Sequence, residues 1–144
     1  MARAIGINHV ALEVGDVDEA LAWYGRFLEF ELRGRRPTMA WIDLGDQFLA
    51  LSSGRRQGAD AGRHFGLVVD DKEAVRTALA EAGVKVAPHG GLRFHGPWGN
   101  AIEIVGYRDV QFTKAPAILE GLAPGGLEKT AAAREELERK GMAG

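Results

Sequence analysis

The 144-residue sequence contains no cysteine. This absence excludes a disulfide framework, a thiolate zinc site and a cysteine nucleophile. The sequence also lacks any run of about 18 apolar residues, and its first residues lack the apolar stretch of a signal peptide. We therefore expect a cytoplasmic protein without a membrane segment.

A strong charge of either sign is missing as well. Eighteen Lys and Arg residues stand against 20 Asp and Glu residues, which gives a formal net charge of −2. This balance predicts no general attraction to nucleic acid or to an anionic membrane. Apolar residues make up 46% of the chain, enough for a sizeable core in one domain or in two small ones.

What the sequence does contain is an internal repeat of about fifty residues. Residues 1–53 predict a strand, a helix and three strands, residues 54–62 a polar linker, and residues 63–110 the same order again. A shift of 55 residues aligns His9 with His64, and a shift of 54 aligns Gly45-Asp46 with Gly99-Asn100. A four-stranded unit leaves open edges and one bare face, which pairing with a second unit would bury. The repeat predicts an α+β fold of two βαβββ units.

Alternating apolar and polar residues give the expected strand positions. The predicted strands lie at 5–14, 38–44, 47–52, 64–69, 84–87, 92–95 and 101–107, with one more extended segment from residue 30. Asp16 or Asp18 is expected to cap the first helix, and Asp70 or Asp71 the second. Residues 111–144 form a separate tail, irregular over 112–126 and helical over 127–140, where we expect a surface or dimer-contact helix.

Three ionisable residues interrupt the predicted apolar strands: His9, His64 and Glu103. If Ile102 and Ile104 face the core, Glu103 points to the opposite side of its strand. A carboxylate inside a strand is costly to bury unless it is paired, protonated or bound to a metal. Two imidazoles and one carboxylate would form a three-ligand site that suits Fe(II), Mn(II), Co(II), Ni(II) or Zn(II). The alternative is two ordinary core histidines and a salt-bridged glutamate.

The sequence around these residues resembles the vicinal oxygen chelate superfamily. That superfamily groups glyoxalase I, extradiol dioxygenases, fosfomycin-resistance thiol transferases, methylmalonyl-CoA epimerases and bleomycin-binding proteins. The resemblance lies in Asn8–Leu12, His64–Asp70 and Pro97–Ile104, and it covers about residues 5–107.

The resemblance implies a curved mixed sheet of two βαβββ units around one divalent metal ion (Fe, Mn, Ni, Co or Zn), held by His9, His64 and Glu103. It also implies a small-molecule substrate that chelates the metal through adjacent oxygens. Members of this length usually form homodimers, sometimes with the two histidines of one site contributed by different chains.

The resemblance also bears on which reaction type of the superfamily to expect. Glyoxalase-I-like members take a fourth metal ligand from the last strand of the first unit, where this sequence has Ala50, or Leu49 if the alignment slips by one. A glyoxalase I that abstracts a proton with that carboxylate is therefore disfavoured. We expect a metalloenzyme with dioxygenase-like or lyase-like activity. A fosfomycin-type thiol transferase and a non-catalytic bleomycin-resistance-like binding protein are the alternatives.

Four further residues are candidates for the chemistry. His95 can titrate near neutral pH and Tyr107 follows the predicted metal strand, so both are candidate catalytic residues. Arg93 is a candidate partner for an anionic substrate, and Trp41 is a candidate for the pocket wall. Loop, surface or core positions are the alternative interpretations of all four.

Overall fold

The structure is a computed structural model that describes residues 1–3, 6–122 and 126–142. Its strands are β1 (His9–Val14), β2 (Leu32–Arg36), β3 (Met39–Asp43), β4 (Phe48–Ser53), β5 (Phe65–Val69), β6 (Leu92–His95) and β7 (Ala101–Gly106). Its helices are α1 (Val17–Tyr24), α2 (Lys72–Glu81), α3 (Pro116–Leu122) and α4 (Ala131–Arg139), with a 3₁₀ turn at Tyr107–Asp109. The first predicted strand began at Ile5, which lies outside the described residues.

The first unit is a four-stranded sheet in the order β1-β4-β3-β2, with β1 parallel to β4 and the other pairs antiparallel. Alternation along β1 directs Val10, Leu12 and Val14 inward, as their periodicity predicts. Asp16 caps α1, because its carboxylate accepts the backbone N–H of Glu19 at 2.9 Å.

The second unit repeats this topology with one strand fewer. Its sheet has the order β5-β7-β6, again with the first strand parallel to the last. Asp71 caps α2. The strand predicted over 84–87 is wrong: only the bridge between Val86 and Phe94 forms there. Pro88 follows at once and lacks the N–H that a longer ladder needs.

The two units share one hydrophobic core. Trp23 and Phe27 of the first unit pack against Phe94 of the second, with ring centroids 6.0 and 5.5 Å apart. Near the end of β1, the Asn100 side-chain amide donates to the Glu13 carbonyl at 3.3 Å. The units are therefore held side by side by both apolar and polar contacts.

Residues 54–62, which the sequence predicts as a linker, are fixed between the units through Asp60. The Asp60 carboxylate accepts hydrogen bonds from Arg55 at 3.2 Å, from Arg63 at 2.9 Å and from the Ala101 backbone N–H at 3.2 Å. The side chains of Arg55 and Asp60 are only 5% and 11% exposed. Partial burial acts to raise the pKa of Asp60, but the Ala101 N–H and the two guanidinium groups lower it below its usual value.

The tail differs from its prediction. The segment predicted as irregular contains α3, which begins at Pro116, a residue well suited to the first position of a helix. The predicted helix over 127–140 is present but shorter, because Thr130 caps α4. The Lys129 ammonium group donates to the carbonyls of Tyr107, Val110 and Phe112 at 2.6–3.0 Å, and burial lowers its pKa.

Each sheet buries one face and leaves the other available. The first open face carries side chains from β1, β4, β3 and β2: His9, Phe48, Ala50, Trp41 and Arg36. The second open face carries residues of β5, β7 and β6: Gly66, Ala101, Glu103, Arg93 and His95. The helices in the described ranges are all too short or too polar to cross a membrane.

Candidate metal centre

His64 and Glu103 meet on the second open face. His64 immediately precedes β5, and Glu103 lies in β7 opposite Gly66. The His64 Nε2 atom lies 3.5 Å from the Glu103 Oε2 atom, with side-chain exposures of 42% and 22%.

The orientation of His64 makes this pair suitable for a cation. Its Nδ1 atom lies 3.2 Å from the Gly62 carbonyl, which can only accept, so Nδ1 donates there and Nε2 is directed at Glu103. A proton on Nε2 would make this contact an ion pair, and a metal ion between the two atoms would have the imidazole nitrogen and the carboxylate as ligands. Two ligands of one tetrahedral ion lie roughly 3.4 Å apart when each bond is about 2.1 Å. The observed separation fits a shared metal ion.

Arg93 joins the same group. Its Nη2 atom lies 2.9 Å from Glu103 Oε2, because Arg93 is paired directly with Glu103 in the β6–β7 ladder. A cavity of about 360 Å³ adjoins the pair, and His64, Arg93 and His95 are among the residues that line it. The structure thus brings three predicted site residues, His64, Glu103 and Arg93, to one place.

His9 lies on the other open face. Its ring stacks on Phe48 with centroids 4.7 Å apart and planes 4° from parallel. The Asn8 side-chain oxygen lies 2.8 Å from His9 Nδ1, so Nδ1 donates to it and this contact leaves Nε2 unengaged. Over residues 1–3, 6–122 and 126–142, no three His, Asp or Glu side chains of one chain converge as a metal ligand set.

The strand registers fix which residues of the two units correspond. Ala11 lies opposite Ala50 in the first unit, and Gly66 lies opposite Glu103 in the second. Since Ala11 and Gly66 each follow their histidine by two residues, Ala50 is the counterpart of Glu103. The alternative alignment on Leu49 is excluded. The first unit therefore has a histidine but no carboxylate at the position equivalent to Glu103.

The same registers make Trp41 the counterpart of Arg93. Trp41 lies opposite Ala50, as Arg93 lies opposite Glu103. A cavity of about 350 Å³ borders Trp41, and it is lined by Arg33, Gly34, Arg35, Arg36, Trp41 and Phe48. Sequence reasoning selected Trp41 but missed Arg33 and Arg36. A glycine inside a predicted strand was the available signal, because it often marks a bulge.

The two predicted catalytic residues have other partners. His95 lines the second cavity, but its Nε2 atom donates to the Asp60 carbonyl at 2.8 Å. Tyr107 is buried with its hydroxyl 3.1 Å from the Thr113 hydroxyl, and Lys129 Nζ lies 3.6 Å from its ring centroid. The contacts of Tyr107 are thus with the tail, whereas His95 lies beside the His64–Glu103 pair.

Several known structures are similar to this fold over nearly their whole length. A possible glyoxalase from Bacillus cereus is 25% identical with a TM-score of 0.59, over 70% of this chain and 98% of that one. Lactoylglutathione lyase from Agrobacterium tumefaciens is 21% identical with a TM-score of 0.59, over 73% and 96%. A fosfomycin resistance protein from Listeria monocytogenes is 12% identical with a TM-score of 0.61, over 72% and 94%.

No curated protein matches the sequence. The profile of the Glyoxalase/Bleomycin resistance protein/Dioxygenase superfamily matches residues 6–104, which include both units and all three predicted metal ligands. The duplicated topology, with the first strand of each sheet parallel to its last, agrees with this match. The chain belongs to the Glyoxalase/Bleomycin resistance protein/Dioxygenase superfamily.

Proposed function

We propose that this protein is a divalent-metal-dependent enzyme acting on a small organic molecule that chelates the metal through adjacent oxygens. The observation that carries the proposal is the His64 Nε2 atom facing the Glu103 carboxylate across 3.5 Å. The Gly62 carbonyl accepts from Nδ1 of His64, as backbone carbonyls commonly do for the second ring nitrogen of metal-binding histidines.

We further propose that His9 of a second copy completes the ligand set. One chain presents His9 on the first open face and the His64–Glu103 pair on the second. A homodimer in which the first open face of one copy covers the second open face of the other would join the three ligands twice. It would also bury the face that each sheet leaves bare.

The ligand set bears on the type of reaction. When bound, the metal would polarise the substrate oxygens and stabilise negative charge that develops on them. Ala50 supplies neither a fourth ligand nor a carboxylate base, so a dioxygenase-like or lyase-like reaction without that base is favoured. His95 lines the cavity beside the pair and is the candidate for proton transfer, through its Nδ1 atom, because its Nε2 atom donates to the Asp60 carbonyl.

A second candidate is a metal-free binding protein. The cavity beside Trp41 and Phe48 has aromatic walls and is as large as a small-ligand site. A sequestering protein of this superfamily would need such a cavity and no metal. Ligand binding that survives both EDTA and His64→Ala would support this candidate against the enzyme.

Metal content tests the proposal. The protein, purified without a metal-chelating tag and reconstituted with Fe(II), Mn(II), Ni(II), Co(II) or Zn(II), is expected to hold about one ion per chain. His9→Ala, His64→Ala and Glu103→Ala should each lose it. Glu73→Ala is the matched control for Glu103→Ala, since Glu73 is an exposed carboxylate on α2. Absence of metal from the reconstituted wild type, or its retention in all three variants, would overturn the proposal.

A further inference from the structure

We infer that the first open face carries an anion subsite, in which Arg33 and Arg36 bind a carboxylate or phosphonate group of a small organic substrate. Trp41 and Phe48 line the same cavity and give its wall apolar surface. The inference rests on the proposed function, because it specifies the substrate class of the same site.

A β-bulge places Arg33 where it is needed. Leu32 pairs with Ile42 and Gly34 pairs with Trp41, so two residues of β2 span one step of β3. Without the irregularity, alternation would direct Arg33 to the same side as Arg35, toward α1. With it, the Arg33 guanidinium group lies 5.0 Å from the Phe48 ring centroid, on the first open face. Bulges often re-aim a side chain beside a binding site.

The charges of these arginines are available to a ligand. Arg35, on the opposite side of β2, forms an ion pair with Asp18 of α1. Arg33 and Arg36, by contrast, have no carboxylate within 4.0 Å in the part of the chain that the structure describes. The Asp43 carboxylate on the same face accepts a hydrogen bond from the Gly45 backbone N–H at 2.7 Å.

Aromatic rings hold both guanidinium groups at the cavity. Arg36 lies 5.7 Å from the Trp41 ring centroid, as Arg33 lies over Phe48. Gly34 leaves room for the Trp41 ring, since a Cβ atom there would lie 3.2 Å from it. Stacked guanidinium groups are held in place and keep their N–H donors free for a planar or tetrahedral oxyanion.

The subsite adjoins the proposed metal ligand. The Phe48 ring contacts Arg33 on the cavity side and stacks on His9, so the cavity and the His9 imidazole share a wall. A cavity of about 350 Å³ accommodates a molecule of the size of a substituted benzoate. A small acid held there would reach toward an ion on His9.

Calorimetry with benzoate, phenylphosphonate and benzamide tests the inference. The full chain is titrated in EDTA and again after metal reconstitution, at low and high salt. We expect benzoate or phenylphosphonate to bind, the better of the two indicating the acid class. Benzamide, which has the same ring without the charge, should bind about 10-fold more weakly, and high salt should weaken only the anions.

Variants identify the residues responsible. Arg33→Gln and Arg36→Gln should each weaken anion binding about 10-fold, and the double variant should abolish it. Arg56→Gln, an exposed arginine away from the cavity, is the control and should bind like wild type. Equal binding of benzamide and the anions, no anion binding, or full binding by the double variant would each overturn the inference.

The metal content of the arginine variants distinguishes a failure of this inference from a failure of the proposed function. Arg33→Gln and Arg36→Gln should keep the metal content of the wild type, because neither residue is a proposed ligand. Lost anion selectivity with intact metal binding would refute the subsite alone. Lost metal binding with intact anion selectivity would refute the metalloenzyme alone.

Discussion

The two open faces of this protein share one scaffold and carry different chemistry. In the first unit, His9 is accompanied by Ala50 and Trp41; in the second, His64 is accompanied by Glu103 and Arg93 at the corresponding ladder positions. The second face therefore has a carboxylate and a cation where the first has a methyl group and an indole. Under the proposed function, the second unit would supply two of the three metal ligands and the first unit most of the substrate contacts.

The turns before the last strands give the largest expected contrast in stability. Gly99 and Gly45 both have positive φ, at 88° and 86°. A Cβ atom at Gly99 would lie 2.6 Å from the Ala59 Cα atom, whereas at Gly45 it would meet the flexible side-chain ends of Ile118 and Leu122. Gly99→Ala should cost about 3 kcal/mol and Gly45→Ala about 1 kcal/mol of unfolding free energy, measured in urea. Equal costs would show that the backbone contact with Ala59 is unimportant.

Substitution of Asp60 tests how much the linker between the units contributes to stability. Asp60→Asn removes the charge that Arg55 and Arg63 share and should cost about 2 kcal/mol at neutral pH. The lowered pKa of Asp60 stabilises the fold above its ordinary value of about 3.9, and this contribution is lost as the pH falls through the lower folded-state pKa. The difference between Asp60→Asn and wild type in urea unfolding should therefore shrink below about pH 4. A difference that stays constant down to pH 3 would contradict this role for the charge.

Ala50→Glu would reduce the difference between the two faces. The new carboxylate would stand beside His9 as Glu103 stands beside His64, and would supply a fourth ligand in the proposed dimer. Metal affinity should rise about 10-fold, measured by competition with a chelating dye. Ala50→Gln, which adds similar bulk without the charge, is the control. Equal affinities for the two variants would contradict the correspondence between Ala50 and Glu103.

Arg93→Gln should have the smallest effect. Arg93 is half-exposed and neutralises Glu103, so it competes with a metal for the carboxylate. Its removal should raise metal affinity about three-fold in the same assay, since a partly exposed ion pair is worth below about 1 kcal/mol. Arg76→Gln, which removes a surface pair with Glu73 on α2, should leave the affinity unchanged. A fall in affinity in Arg93→Gln would show that Arg93 supports the ligand set.

Much of this comparison could be predicted from the sequence, because aligning the two repeats shows which residues of the two units correspond. The repeat aligned His9 with His64 and left Ala50 or Leu49 as the counterpart of Glu103, and the ladders select Ala50. Alternating apolar residues likewise predicted most of the strands. The aspartates that precede the two helices predicted the helix caps. These features depend on neighbouring residues alone, which is why pattern reasoning finds them.

Other features depend on partners that are distant in the sequence. The bulge at Arg33 exists only relative to β3, so the sequence predicts an extended segment from residue 30 and misses the basic cavity. The 84–87 segment has strand composition but forms a single bridge. Asp60 lies in a segment typical of linkers and yet bonds Ala101, 41 residues away. The placement of His9 apart from the His64–Glu103 pair could not be predicted from periodicity either.

Subunit complementation tests the central claim most directly. Chains carrying His9→Ala and Glu103→Ala, each unable to bind metal alone, are co-expressed with different tags that do not chelate metal, and the mixed dimer is purified. If the site forms between copies, the intact His9 of one chain meets the intact His64 and Glu103 of the other, and the mixed dimer should hold about one metal ion. A mixed dimer without metal, beside a wild type that binds it, would contradict the shared site.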